Sequence, residues 1–227
     1  MKSGSETAAN RFLILLLAID AIFILLHFFH TFSTSLQSPV FSIKIDWSYS
    51  EVFQYTKELW IIMLLLWVAK SKRSLLYICW AFLFVYLMAD DCLLLRERLS
   101  LRIGEFLGLR PMLGLRVQDV GEFVVSVLFG IPFLAMLGVA HYLSSKTTRT
   151  NSKRLFTLLV LLILFGVVID MLPVAVKHHH FLLGPMVGTV EDGGEMVVMS
   201  FICAFVFALS AGGAEPTSSV EAAGHAR

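Results

Sequence analysis

The stretch that decides the fold is YLMADDCLLLRERLSLRIGE, residues 86–105. It continues an apolar run that begins near residue 74, reaches the adjacent carboxylates Asp90 and Asp91, and then alternates arginine with glutamate. A pair of carboxylates near the end of a membrane-length helix is costly unless other groups compensate it. The stretch therefore predicts a transmembrane helix that ends beside a polar site.

The composition is that of an integral membrane protein. Apolar residues make up 57% of the 227-residue chain and charged residues 15%, against about 25% charged residues in soluble domains, and the mean hydropathy is +0.80. The net charge is +1 and no basic patch interleaved with aromatic residues stands out, which argues against nucleic-acid binding. Cys79, Cys92 and Cys203 lie in or beside apolar runs without CxxC spacing, so no disulfide or zinc framework is predicted.

Six apolar runs are long enough to cross about 30 Å of hydrocarbon as helices. We predict an all-α, polytopic integral membrane bundle over residues 11–211, with a mobile N-terminus at 1–10 and a disordered tail at 212–227. The first run exceeds the roughly 7–15 apolar residues of a signal peptide, so it is interpreted as an uncleaved span. The predicted spans are residues 11–31, 50–69, 74–93, 119–143, 155–176 and 191–211.

An amphipathic segment is predicted between the third and fourth spans. Residues 94–118 hold five arginines among leucines, and we expect the third helix to continue into this segment and then lie along the membrane surface. Arg96, Arg98 and Arg102 are expected to reach lipid headgroups while the leucines stay among acyl chains.

The two faces of the predicted bundle differ in charge. Side A is the face with both termini and the basic turns at 70–73 and 144–154, and side B is the opposite face. Basic residues slightly favour side A, which predicts cytoplasmic termini. Most of the 17 acidic residues lie on side B or at nearby helix ends, so we expect them to converge there.

Part of this acidic set has an ordinary explanation in helix capping. Acids at helix N-termini accept hydrogen bonds from free N–H groups and interact favourably with the helix dipole. A role in a binding site stays open, because Glu191 and Glu195 share a helix face and Gly193–Gly194 would permit close approach of a backbone or ligand. The acids predicted to begin the fourth and sixth spans are Asp119, Glu122, Glu191, Asp192 and Glu195.

Asp90, Asp91 and Asp170 lie instead toward the C-terminal ends of their predicted helices, where the dipole disfavours an anion. Capping therefore does not account for them in this interpretation. Three alternatives remain, which are a functional ion or proton site, a structural network of ion pairs, and simple exposure to water at the membrane interface. The candidate partners for such pairs are Arg96, Arg98 and Lys57.

A divalent metal ion is the one cofactor that the pattern suggests. Pro173 frees the carbonyl of Ile169 next to Asp170, and carboxylate plus carbonyl oxygens suit a hard cation. His27 and His30 share a helix face and would add ligands suited to Zn, Fe or Mn, although histidines near a helix C-terminus are favourable without a metal. The candidate metal ligands are Asp90, Asp91, Glu97, Asp170, Glu195, His27 and His30.

Five further residues are predicted to line the same pocket. Asp20 lies in the middle of the first span, and we interpret it as a protonated, hydrogen-bonded acid, with a proton path toward side B as the alternative. The five are Glu122, Glu191, Asp192, His178 and Asp20.

Three classes of function remain open. The chain has no GxSxG, P-loop, HExxH or nucleotide-binding GxGxxG motif, and Ser126 and Ser200 are interpreted as serines bonded to their own helix. The leading hypothesis is a metal-dependent, membrane-embedded hydrolase of a lipid-like substrate. The alternatives are a cation- or proton-coupled transporter and an accessory membrane protein without a catalytic site, and the expected partner in each case is the lipid bilayer.

Overall fold

The computed structural model of this chain describes residues 2–32, 38–43, 45, 47–111, 116–169 and 183–212. Within these ranges every regular element is helical, so the predicted all-α membrane bundle is confirmed. A short 3-10 helix (Pro39–Phe41) precedes α2, and a π-helix (Leu164–Ile169) follows α6. The α-helices are α1 (Lys2–Phe32), α2 (Tyr49–Lys72), α3 (Leu75–Leu93), α4 (Leu95–Leu107), α5 (Val117–Leu143), α6 (Lys146–Ile163) and α7 (Leu183–Ala211).

Five of the described helices are long and apolar enough to cross a membrane, namely α1, α2, α3, α5 and α7. The predicted span at 155–176 is covered in part by α6 and the π-helix, and α6 itself begins with the polar turns KTTRTNSKR. Residues 170–176 lie outside the described residues. The structure therefore supports five of the six predicted spans.

Local capping chemistry sets the ends of α2. Ser48 is the N-cap, and its hydroxyl accepts a hydrogen bond from the N–H of Glu51 at 3.4 Å. The carboxylate of Glu51 accepts from the N–H of Trp47. At the other end Arg73 adopts a left-handed conformation (φ 47°), and the next N–H bonds to the carbonyl of Ala69.

The apolar core lies between α2, α3 and α7, and α1 packs against α7. Side chains of large volume fill it, with Trp80, Tyr77 and Phe84 each almost fully buried. The same five helices expose many apolar side chains on their outer surfaces, which is the pattern expected of a bundle surrounded by lipid.

The predicted continuation of the third helix beyond residue 93 is wrong. Leu94 has φ 51° and ends α3, and α4 then packs along α5. The approach is close, since a Cβ added to Gly121 would lie 2.7 Å from the carbonyl oxygen of Ser100. Asp90 and Glu97, seven residues apart, therefore do not share one helix face.

Two other predicted boundaries also differ. Residues 2–10 form the first turns of α1 rather than a separate segment. Helix α7 begins at Leu183 instead of 191, so Glu191, Asp192 and Glu195 lie in its third and fourth turns. The favourable effect of the helix dipole falls off within the first turn, so capping does not explain these three acids.

Candidate functional site: a buried ion pair beside an acidic cluster

Three helices place an ion-pair triad in the interior of the bundle, formed by Asp20 of α1, Lys57 of α2 and Ser200 of α7. All three residues are fully buried. Lys57 Nζ lies 3.0 Å from Asp20 Oδ1 and also donates to the carbonyl of Met196 at 2.8 Å and to Ser200 Oγ at 3.3 Å. Ser200 Oγ donates to Asp20 Oδ2 at 2.5 Å. Every hydrogen of the ammonium group thus has an acceptor, which is the condition for a stable buried charge.

The triad corrects three predictions. Asp20 is hydrogen-bonded, as predicted, but its carboxyl forms an ion pair with Lys57. Lys57 pairs with Asp20 rather than with Asp90 or Asp91, and Asp170 lies outside the described residues. Ser200 bonds across helices, whereas Ser126 does bond to its own helix as predicted, through the carbonyl of Glu122 at 2.8 Å.

Next to the triad lies an acidic cluster, which comprises Glu58, Asp91 and Glu195 on α2, α3 and α7. The Glu58 side chain is fully buried, and Glu58, Asp91 and Glu195 line one common cavity. Within the described part of the chain, neither Glu58 oxygen accepts a hydrogen bond from an N–H or hydroxyl donor. A buried carboxyl without a hydrogen-bond partner is costly, and such a group calls for a functional explanation.

Two small cavities adjoin the acidic cluster and share Gln54, Asp91 and Glu195 in their walls. Their volumes are about 160 Å³ and about 130 Å³. A water molecule needs roughly 10–15 Å³ of such space, so each cavity has room for several. The polar residues of the first are Ser50, Glu51, Gln54, Tyr55, Asp91, Asp192 and Glu195. Those of the second are Gln54, Glu58, Asp90, Asp91, Arg96 and Glu195.

Asp90 has a structural role that the sequence interpretation missed. Its Oδ1 accepts a hydrogen bond from the backbone N–H of Arg96 at 2.7 Å, in the first turn of α4. The acid therefore caps the helix after Leu94, although it lies at the C-terminal end of α3. Arg96 Nε also lies 3.7 Å from Asp90 Oδ2, so one ion pair joins two of the residues predicted for such a network. Arg98 and Arg102 are exposed on α4, and their contact with headgroups stays a prediction.

The glycines of α7 receive side chains from neighbouring helices. A Cβ at Gly194 would collide with the Phe165 ring, and one at Gly193 would lie 3.2 Å from the side chain of Ile24. On the facing π-helix, a Cβ at Gly166 would collide with the carboxylate of Glu195. The close approach predicted at Gly193–Gly194 is therefore helix packing, and it holds Glu195 against the second cavity.

The profile of one protein family matches residues 11–209, which include the whole triad and the whole acidic cluster. The chain belongs to the family DUF8692, a domain of unknown function. No curated protein and no solved structure matches it.

In this DUF8692 chain, the structure brings together some of the predicted site residues and separates others. Those that line the cavities are Asp90, Asp91, Asp192, Glu195 and Arg96. Those that line neither cavity are Glu97, Glu122, Glu191, His27 and His30. Asp170 and His178 lie outside the described residues.

The residues that line neither cavity have other partners. His27 Nδ1 accepts from the N–H of Ile43 at 3.4 Å, and its ring stacks on His30. Glu122 Oε1 accepts from Gln118 at 2.9 Å. Among the described residues, no group of three or more His, Cys, Asp or Glu side chains is arranged to hold a metal ion.

The predicted capping role of Asp119 is confirmed. One oxygen of its carboxylate accepts a hydrogen bond from the backbone N–H of Arg116, the N-cap of α5, at 2.8 Å. The other oxygen lies 2.8 Å from the guanidinium of the same arginine. This acid therefore organises the start of α5 and not the cavities.

Sequence reasoning left Lys57 and Glu58 out of the site, although a signal for them was present. Glu51, Gln54, Tyr55 and Glu58 recur at spacings of three and four, which places them on one face of α2. A polar stripe on a membrane-spanning helix is expected to face the bundle interior or a water-filled cavity. Glu58 lies about 13 Å along the axis from the start of α2, deep enough for burial.

Proposed function

We propose that this protein carries protons across the membrane, and that the acidic cluster is where they are taken up. The observation that carries the proposal is the Glu58 carboxyl, which is fully buried, lines a cavity together with Asp91 and Glu195, and accepts no hydrogen bond from a donor in the described part of the chain. Water in that cavity would let such a carboxyl gain or lose a proton. Ionisable residues inside membrane segments are typical of proton relays.

The cavities supply the entry from side B. Helix α2 begins and α3 ends on that face, and the first cavity is lined by Glu51 and Tyr55 near the start of α2. It shares Asp91 and Glu195 with the second cavity, which reaches Glu58. Water in the two cavities would connect side B to the cluster.

The ion-pair triad is the next polar group on the proposed proton route, deeper in the membrane than the acidic cluster. Lys57 adjoins Glu58 in sequence and neutralises Asp20. A proton that reached Asp20 would weaken its attraction for Lys57, since only the ionised carboxylate forms the ion pair. Because the triad joins α1, α2 and α7, protonation of Asp20 would weaken the contact between these helices.

Beyond the triad toward side A, the interior is apolar and closed. Leu16, Ile61, Leu65, Ile202 and Val206 follow the triad residues in that direction, and each is at most 1% exposed. The cavities that adjoin the acidic cluster lie toward side B. We infer a carrier that changes conformation, as opposed to an open channel.

The other function classes have less support from the described geometry. Ser200 and Lys57 are fully buried and bonded to Asp20, so no substrate reaches them in this conformation. The metal-dependent hydrolase needs a ligand set that the described side chains do not form.

For the orientation in the membrane, we propose that side A is cytoplasmic, on the basis of the basic turns at 70–73 and 144–154.

Proton flux into vesicles tests the proposal. The full chain would be reconstituted into liposomes loaded with the pH-sensitive dye pyranine, and a potassium diffusion potential, negative inside, would drive proton entry. We expect the wild type to acidify the lumen faster than protein-free vesicles. Glu58→Gln should abolish the difference, because an amide cannot release a proton.

The matched control is Glu105→Gln, the same change at an exposed position of α4, which should retain the wild-type rate. A wild-type rate equal to that of protein-free vesicles would overturn the proposal. Undiminished flux in Glu58→Gln would also overturn it, because the route would then not pass through the acidic cluster.

A further inference from the structure

A second, larger cavity region lies on the opposite side of the bundle, between α3, α5 and α6. This groove has a volume of about 510 Å³, within the roughly 300–1,000 Å³ range of ligand pockets. It shares no lining residue with the two acidic cavities described above. Its lining includes Trp80, Leu137, Gly138, His141, Lys153 and Phe156.

The inner wall of the groove is apolar. Trp80 is 1% exposed, and its indole N–H donates to Ser152 Oγ at 2.9 Å, so its one polar group is already bonded. Leu137 is buried beside it. Phe156, at 46% exposure, lies at the outer edge, which leaves the groove accessible from the surrounding hydrocarbon.

The rim of the groove is basic. Lys153 is exposed and His141 half-buried, and both line the groove where α5 ends and α6 begins, on side A. Among the described residues that line it, none is acidic. Leu134 is seven residues before His141 on α5, so the groove runs about 10 Å inward from this rim. Its polar end is at the membrane surface and its apolar end lies deeper.

We propose that this groove binds one anionic phospholipid of the side-A leaflet, with the phosphate at Lys153 and an acyl chain along Trp80 and Leu137. An apolar groove at membrane depth is filled by hydrocarbon in any bilayer, so the walls alone would accept any lipid. The cation at the rim, without a neighbouring acid in the lining, adds the preference for a negative headgroup. A basic residue near the surface favours an anionic lipid by about fivefold. The proposal is independent of the proton pathway, because the two regions share no lining residue.

Gly138 offers a way to fill the groove without disturbing the fold. A Cβ at this position meets no atom within 4 Å, and the residue lines the groove. Leucine is also a better helix former than glycine, so Gly138→Leu should fold at least as well as the wild type while its side chain occupies the space of the acyl chain.

Native mass spectrometry of the full chain in detergent, with added lipid, tests the proposal. We expect the wild type to retain one phosphatidylglycerol in preference to phosphatidylcholine. Lys153→Gln should weaken phosphatidylglycerol binding about fivefold and leave phosphatidylcholine unchanged, and Gly138→Leu should weaken both. The matched control, Lys146→Gln, changes an exposed lysine of the same helix outside the groove and should bind as the wild type does.

Three results would overturn the proposal. The first is equal retention of the two lipids by the wild type, and the second is unchanged binding by Gly138→Leu. The third is displacement of the lipid by excess inorganic phosphate, which would mean that the rim holds a free anion and not a phospholipid. Thermal unfolding of each variant, measured beside the binding, shows whether a loss of lipid reflects the groove or the fold.

Discussion

Replacing Lys57 with methionine is the most direct test of what the triad contributes to stability. Methionine keeps most of the side-chain volume but removes the ammonium group, which lies 3.0 Å from Asp20 Oδ1 and makes two further hydrogen bonds. The Asp20 carboxylate would then be buried with the Ser200 hydroxyl as its remaining hydrogen-bond donor among the described residues. Removing one partner of a buried ion pair costs about 3–5 kcal/mol, and both side chains here are fully buried, so solvent screening does not reduce that estimate.

A double-mutant cycle separates charge from packing. In Lys57→Met with Asp20→Leu, no uncompensated charge remains, and replacement of a buried ion pair by apolar residues is often neutral or stabilising. We therefore expect the double variant to recover most of the loss of either single variant. The coupling energy should be at least about 2 kcal/mol, within the range measured for residues in contact.

The assay is equilibrium unfolding in mixed detergent micelles, followed by tryptophan fluorescence, for the wild type, both single variants and the double variant. A loss below about 1 kcal/mol in Lys57→Met would refute the argument, since that is the range of exposed pairs. Additive losses in the double variant would also refute it, because the cost would then come from packing. Proton flux measured on a stable double variant shows in addition whether the triad takes part in transport.

Further predictions concern the packing and capping of α4. Gly121→Ala should destabilise the protein by about 1–3 kcal/mol, because the new Cβ would lie 2.7 Å from the Ser100 carbonyl oxygen. The control is Gly130→Ala on the same helix, where a Cβ meets no atom within 4 Å, and it should stabilise the protein by up to about 1 kcal/mol. Equal effects of the two changes in thermal unfolding would contradict the close packing of α4 on α5. Asp90→Ala should lower the free energy of unfolding by about 1 kcal/mol. It should also speed hydrogen exchange at the Arg96 backbone amide, which donates a hydrogen bond to the Asp90 carboxylate at 2.7 Å. Unchanged exchange would show that the amide has another acceptor.

Much of the fold could be predicted from the sequence because the signals are local. An apolar run either spans the hydrocarbon or does not, and its length is read directly along the chain. The N-cap at Ser48 and the capping acid Asp119 were also predictable, since a cap and its partner lie three residues apart. The polar face of α2 was visible in the same way, from the spacing of Glu51 and Glu58.

Predictions failed at helix boundaries that the residues next to them in the sequence do not indicate. Leu94 adopts a left-handed conformation that a leucine rarely takes, and that turn separates α4 from α3 and places Asp90 at a helix start. The sixth span was predicted to begin at residue 191, but α7 begins at Leu183.

The sequence by itself determined the membrane-spanning helices, the polar face of α2 and the concentration of acids toward side B, because these depend on hydropathy and on helical spacing. Only the tertiary structure decided which of those polar groups meet. Asp20 contacts Lys57 at a separation of 37 residues and Ser200 at 180, and Glu58 lines one cavity with Asp91 of another helix. In hydrocarbon a buried charge must have a partner, but the order of residues along the chain does not say which helices will be neighbours.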